Sequence, residues 1–212
     1  MTPDMFQTPT TPDIPESRPV PGLSHRFTGF ILLAAGLLGF VPSFVLAVEK
    51  YWLLINPFYS PSCTLGETLS CVPVMTSWQA EVFGFPNPYL GIAGFAVIAA
   101  TGAALLGRAQ MSHWYWAGLQ IGVTFGTLFV GWLMYQSLFR IQALCPYCML
   151  VWAAMFLSLW YVTVESASRW SRNWTGYGRR LAHVMIRRHD IAILAWFVLV
   201  GLLVNIAAFN FS

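Results

Sequence analysis

Over 212 residues the chain is 57% hydrophobic and only 9% charged, too apolar for a soluble globular domain and too short for several large ones. Its formal net charge is +3, and the arginines that produce it sit between long apolar segments. That placement argues against nucleic-acid binding and for loops apposed to a membrane.

Residues 1–22 hold six of the thirteen prolines among Thr, Asp and Ser. Such a stretch cannot bury enough apolar area to order itself and is read as a disordered cytoplasmic tail. The apolar stretch 27–48 follows. It meets the roughly 20 residues needed to cross a bilayer and runs into Glu49-Lys50 without a cleavage signature, so it is predicted to stay as an anchor. Stretches 88–107, 114–139, 147–167 and 191–210 meet the same standard. The predicted fold is an all-α integral membrane protein with five transmembrane helices, the fifth at 191–212, and chain ends on opposite faces.

Nine of the eleven basic residues fall on one side of this arrangement: Arg18, Arg26, Arg108, Arg169, Arg172, Arg179, Arg180, Arg187 and Arg188. Only Lys50 and Arg140 fall opposite. The positive-inside bias therefore places the N-terminus and the Arg-rich loop 168–190 in the cytoplasm, with the C-terminus outside. The loop 49–87 and the turn 140–145 come out external, and with them all four cysteines, on the oxidising face.

The first cysteines, Cys63 and Cys71, lie in a polar, Gly66-containing stretch short enough for an internal disulfide and flexible enough to present a sulfur outward. After it, Met75, Trp78, Val82 and Phe83 recur at helical spacing, which predicts a short amphipathic helix acting as a lid or lying at the interface. Ser77 within it is read first as a backbone cap and second as a ligand contact. Asn87 before Pro88 fits a helix N-cap followed by proline at the first helical position, and its amide is also placed to donate to a carbonyl.

Cys145-Pro146-Tyr147-Cys148 opens the fourth span. Proline suits a first helical turn, so the helix is predicted to start near Cys145, where the positive end of the dipole stabilises thiolate. Cys148, one turn in, faces the bundle and is placed to reduce a lipid-soluble acceptor. Three readings of the motif stay open: a redox pair, a zinc site, and static disulfides. His25, His113, His183 and His189 all map to the cytoplasmic side, so zinc would need both cysteine pairs. Buried carboxylates are expected to be missing from the spans, with Glu49, Glu67 and Glu81 in the external loop and Glu165 near a cytoplasmic end, which argues against ion transport. Lys50 and Arg140 are expected near enough the outer face to favour thiolate.

Taken together, Cys63-x-x-Gly66 leading to Cys71, Ser77-Trp78, Asn87 before the second span and Cys145-x-x-Cys148 at the fourth resemble the vitamin K epoxide reductase family in its short form, without a fused thioredoxin domain. The resemblance covers residues 27–167. The wider cysteine pair comes first here, the reverse of the other bacterial quinone-linked disulfide generators. The chain departs from the animal enzymes at Trp152, where they carry tyrosine.

The resemblance implies a four-helix transmembrane bundle (23–167) around a quinone site, with the fifth helix peripheral. It implies that Cys63 exchanges with a thioredoxin-fold, DsbA-like partner, Cys71 passes electrons to Cys145, and Cys148 reduces a quinone, menaquinone or a relative, with no metal. Asn87 and Ser77 would contact quinone oxygen, with Trp78, Met75, Phe83 and Trp152 as further quinone-binding residues. The function so implied is a quinone-dependent thiol oxidase of a bacterial cytoplasmic membrane. The alternatives are a reductase of vitamin K epoxide or quinone and a non-catalytic membrane scaffold.

Overall fold

The computed structural model describes residues 25–56, 58–64, 66, 69–170 and 189–211. The predicted tail 1–22, Glu67 and most of the Arg-rich loop lie outside them. Four helices are long and apolar enough to cross a membrane: α1 (His25–Ile55), α3 (Pro88–Leu106), α4 (His113–Gln136, continued by a π-helical turn Ser137–Ile141) and α5 (Pro146–Trp170). Between α1 and α3 lie the short α2 (Val72–Thr76) and a 3-10 turn (Trp78–Glu81). The last helix, α6 (His189–Phe211), covers the predicted fifth span. Its apolar stretch Ile193–Ile206 sits at the outside of the bundle, where Trp196 stacks on Phe156 at 4.3 Å.

Packing follows from where the small residues are. α1 packs most extensively on α3 and next on α5, while α4 lies on α5 and hardly meets α3. The α1–α3 approach depends on glycine. A Cβ on Gly36 would stand 2.5 Å from the Ala99 nitrogen, and one on Gly102 would stand 2.3 Å from the Leu33 nitrogen. Small residues at such crossings let two backbones touch in a solvent where lipid gives no hydrophobic drive for helices to associate. Leu32, Phe95, Ile98, Trp116, Met155 and Val162 fill the shared core. The lack of contact between α3 and α4 leaves a cleft, and the candidate site occupies it.

Three local predictions are corrected. First, α1 continues seven residues past Val48 to Ile55, so Glu49 and Lys50 belong to the helix and the loop starts at 56. Both are buried, at 6% and 8% exposure. The charges end the hydropathic run without ending the helix, because each finds a partner in the loop that folds over it. Glu49 accepts from Ser62, and Lys50 pairs with Glu81 and donates to the Met75 carbonyl. Lys50 is therefore engaged in holding the lid and is not available as a thiolate counter-charge, while Arg140 is exposed.

Second, the predicted lid helix is broken. Ser77 is extended (φ −72°, ψ 151°), so Met75 turns inward at 5% exposure and Trp78 outward at 68%. Third, Asn87 is no side-chain cap: it is helical (φ −54°, ψ −31°) and its amide bonds elsewhere.

Buried carboxylates are also present in the spans, contrary to expectation. Besides Glu49, Glu165 is 3% exposed, held by Arg169 at 2.8 Å and 2.9 Å and by His25 at 3.3 Å. Paired in this way, it is a clamp between α1 and α5, with Arg169 also lying over the Trp116 ring.

Gly36→Ala is expected to destabilise the protein by about 1–3 kcal/mol through overpacking. Gly201→Ala, where nothing lies within 4 Å, should leave stability unchanged. Thermal unfolding of both variants in detergent measures the contrast.

Candidate active site

The site begins with a disulfide. Cys63 and Cys71 are bonded, with their Cα atoms 5.7 Å apart, and both are buried. A turn closed by the Thr64 N–H on the Pro61 carbonyl starts the loop. An isolated parallel bridge between Leu69 and Leu144 then lays the loop alongside the approach to α5. Two residues beyond Leu69 is Cys71, and one beyond Leu144 is Cys145. Their sulfurs stand 3.0 Å apart, with both residues fully buried. Upstream, the chain is turned into this position by left-handed Gln142 (φ 57°) and by the Ser137 hydroxyl donating to the Ala143 carbonyl.

Cys145, near which the helix is predicted to start, stands in the cap position just before α5. Pro146 is the first helical residue, where its missing N–H has no partner to lose. The Cys148 N–H, third in the helix, donates to the Cys145 sulfur at 3.3 Å, and the Met149 N–H donates to its carbonyl. The thiol thus takes the place of a capping oxygen. The Cys148 thiol hydrogen-bonded to it lowers the Cys145 pKa most. Burial opposes this, and the N–H groups of Cys148 and Tyr147 act in the same lowering sense. A nucleophilic thiolate is thereby favoured within contact of a disulfide, the arrangement that thiol-disulfide exchange needs.

Beneath this cluster a cavity of about 650 Å³ runs between α1, α3, α4 and α5. Cys145, Cys148, Met75, Ser77, Asn87 and Trp152 line one end, and Trp114 and Tyr115 the other. The Asn87 amide donates to the Gln79 carbonyl at 2.6 Å, which fixes its orientation, and leaves the side-chain oxygen buried without a hydrogen-bond partner. The Ser77 hydroxyl donates to the Val74 carbonyl at 2.8 Å, so toward the cavity it can only accept.

Trp78 and Phe83 are not among the cavity-lining residues. They form an aromatic row with α4, Trp78 on Trp132 (5.9 Å) and Phe83 on Phe129 (5.4 Å), which seats the lid. Glu49 and Gln79 are not singled out by the sequence as parts of the site, and Lys50 enters it as a lid contact in place of the predicted counter-charge to a thiolate. Lys50 and Glu49 carried one legible sign, charge at the end of a membrane span. Among the described residues no group of three or more His, Cys, Asp or Glu is arranged to hold a metal ion.

The model of the vitamin K epoxide reductase family matches residues 30–163. The chain belongs to this family. The match takes in both cysteine pairs, the lid, the whole of α3 and α4 and most of α1 and α5, and ends before α6. A search of curated proteins gave no match. Membership makes the chain a membrane oxidoreductase that works through cysteine pairs.

Alkylation of Cys145, followed across pH and mapped by mass, should show a midpoint below the roughly 8.5 of an ordinary thiol. Because the Cys148 thiol is the leading cause of the lowering, Cys148→Ala should move that midpoint upward. An unchanged midpoint would mean that the cap hydrogen bonds alone set the thiolate.

Proposed function

We propose that the protein is a quinone-dependent thiol oxidase that generates disulfides in a thioredoxin-fold partner. The observation that carries the reading is the 3.0 Å contact between Cys71 and Cys145. It joins a disulfide in an aqueous-side loop to a dithiol at the wall of an apolar cavity. A scaffold with two static disulfides has no use for that contact.

The reduced, DsbA-like partner attacks Cys63, forming a mixed disulfide and releasing Cys71 as thiolate. Resolution of the mixed disulfide by the partner's second thiol leaves the partner oxidised and Cys63 and Cys71 reduced. Cys71 then attacks Cys145 of the Cys145–Cys148 disulfide, and Cys63 closes on Cys71, which restores the loop disulfide and leaves both α5 thiols reduced. The dithiol finally passes two electrons and two protons to a quinone, giving quinol and the Cys145–Cys148 disulfide. Cys63 is 3% exposed, so the loop must open before the partner can reach it.

The cavity supports a quinone as the acceptor. Its walls are apolar, its one end meets Cys148, and the unpartnered Asn87 oxygen there can accept from a quinol hydroxyl. Met75, Ser77 and Trp152 bound the same end, and menaquinone is the proposed substrate. The proposed setting is a bacterial cytoplasmic membrane, with the cysteines outside, the N-terminus and the loop 168–190 inside, and α6 as a fifth, peripheral span. The charge asymmetry of the loops supports that orientation.

Anaerobic stopped-flow mixing of dithiol-reduced protein with menaquinone tests the reading. Wild type should convert quinone to quinol and Cys148→Ala should not. Full reduction by the variant would defeat the assignment of Cys148 as electron exit. Asn87→Ala should weaken binding of the quinol product about tenfold, read as the inhibition constant of added quinol, the size of one lost hydrogen bond at a buried site.

A further inference from the structure

α1 ends in two adjacent buried charges of opposite sign that do not pair with each other. Neighbouring helical residues point about 100° apart, and these two grip different parts of the segment 56–87. Lys50 takes the lid half through Glu81 and the Met75 carbonyl, each at 2.8 Å. Glu49 takes the cysteine half. One of its carboxylate oxygens accepts both the Ser62 N–H at 3.2 Å and the Ser62 hydroxyl at 2.6 Å. That hydroxyl's one hydrogen is engaged in the bond to Glu49, so at its 3.3 Å contact with Tyr147 it is the tyrosine that donates.

The chain Glu49–Ser62–Tyr147 therefore joins three elements at their redox residues. Ser62 directly precedes Cys63, and Tyr147 stands between Cys145 and Cys148. A carboxylate at 6% exposure is expensive to desolvate, and the two Ser62 hydrogen bonds on one of its oxygens offset that cost. Its other oxygen is buried without a hydrogen-bond partner, and the carboxylate raises the pKa of the neighbouring Tyr59. The buried position brings rigidity, because charge-assisted hydrogen bonds are short and directional. Their target is the loop that has to hold one sulfur against another.

We infer that Glu49 is a positioning residue for the cysteine relay, setting through Ser62 and Tyr147 where Cys63 and Cys71 stand relative to Cys145 and Cys148. The inference rests on the proposed relay and concerns its internal exchange step. The closing half of that step, Cys63 displacing Cys145 from Cys71, is read in its reverse direction, in which the Cys145 thiolate attacks the Cys71 sulfur. The Cys63–Cys71 bond breaks, Cys71–Cys145 forms, and Cys63 leaves as thiolate to take up the proton that Cys145 gave. No outside oxidant is required.

The step is read in the full chain with Cys148→Ser, which prevents onward closure. After acid quench, free thiols are alkylated and the ratio of Cys71–Cys145 to Cys63–Cys71 disulfide is mapped by mass. Glu49→Ala should lower the ratio about tenfold, the effect of losing the hydrogen-bond acceptor that holds the aligned state. Glu49→Gln keeps an acceptor oxygen at the same place and should hold the ratio within about twofold of the parent. Ser62→Ala, which retains the carboxylate and removes the hydroxyl, should fall with Glu49→Ala and serves if that variant does not fold.

An unchanged ratio in folded Glu49→Ala or Ser62→Ala overturns the proposal. So does a fall in Glu49→Gln as deep as in the alanine variant, since charge and not placement would then be at work. Neither quinone nor partner enters this measurement. The positioning role can therefore fail while quinone reduction stands, and a failure of the quinone reading would leave the disulfide ratio as predicted.

Discussion

Two sulfurs, Cys71 and Cys145, meet at 3.0 Å with both residues wholly buried, and the architecture around them exists to make that contact. Cys71 comes from a loop that has little secondary structure, and Cys145 from the residue before a transmembrane helix. A loop of this kind has many conformations, and ordering it is opposed by entropy at every residue. Three constraints remove that freedom: the Cys63–Cys71 disulfide, the Leu69–Leu144 bridge, and the two buried charges at the end of α1. With them in place, the sulfur that must receive an attack is already beside the sulfur that delivers it.

The membrane explains why the constraints are polar. In a solvent of lipid tails, apolar packing gives little preference for one helix arrangement over another. The bundle below is therefore assembled by close glycine contacts, as between α1 and α3, and by paired charges, as at Glu165, Arg169 and His25. Where α3 and α4 fail to meet, the cavity opens, and its polar content is reduced to a few oriented groups. Asn87 is the clearest of these, with its amide nitrogen fixed to Gln79 and its oxygen left over. A ligand with a matching donor would satisfy it.

Much of this was legible in the sequence. Hydropathy located the four long helices to within a few residues at most ends, since a spanning segment must be apolar along its whole length. The cysteines identified themselves, because no other side chain in the chain offers comparable chemistry. What hydropathy could not find was the end of α1. Glu49 and Lys50 read as the edge of a span, and their burial depends on Ser62 and Glu81, partners distant in sequence. The lid was misread for a related reason. Helical spacing grouped Met75 with Trp78 and Phe83, but the extended backbone at Ser77 sends the first into the cavity and the others to α4. Asn87 beside Pro88 has the composition of a cap, and only the fold brings the Gln79 carbonyl within its reach.

The sulfur contact is tested most directly by order of events. Oxidised wild-type protein is mixed with one equivalent of a small dithiol, quenched in acid at intervals, and its disulfides are mapped by mass. If electrons cross from Cys71 to Cys145, a Cys71–Cys145 disulfide rises and decays before the Cys145–Cys148 pair appears fully reduced. Reduction of Cys145–Cys148 at full rate with no such species at any time would contradict the account, since electrons would then reach α5 without crossing the contact that the loop is built to hold.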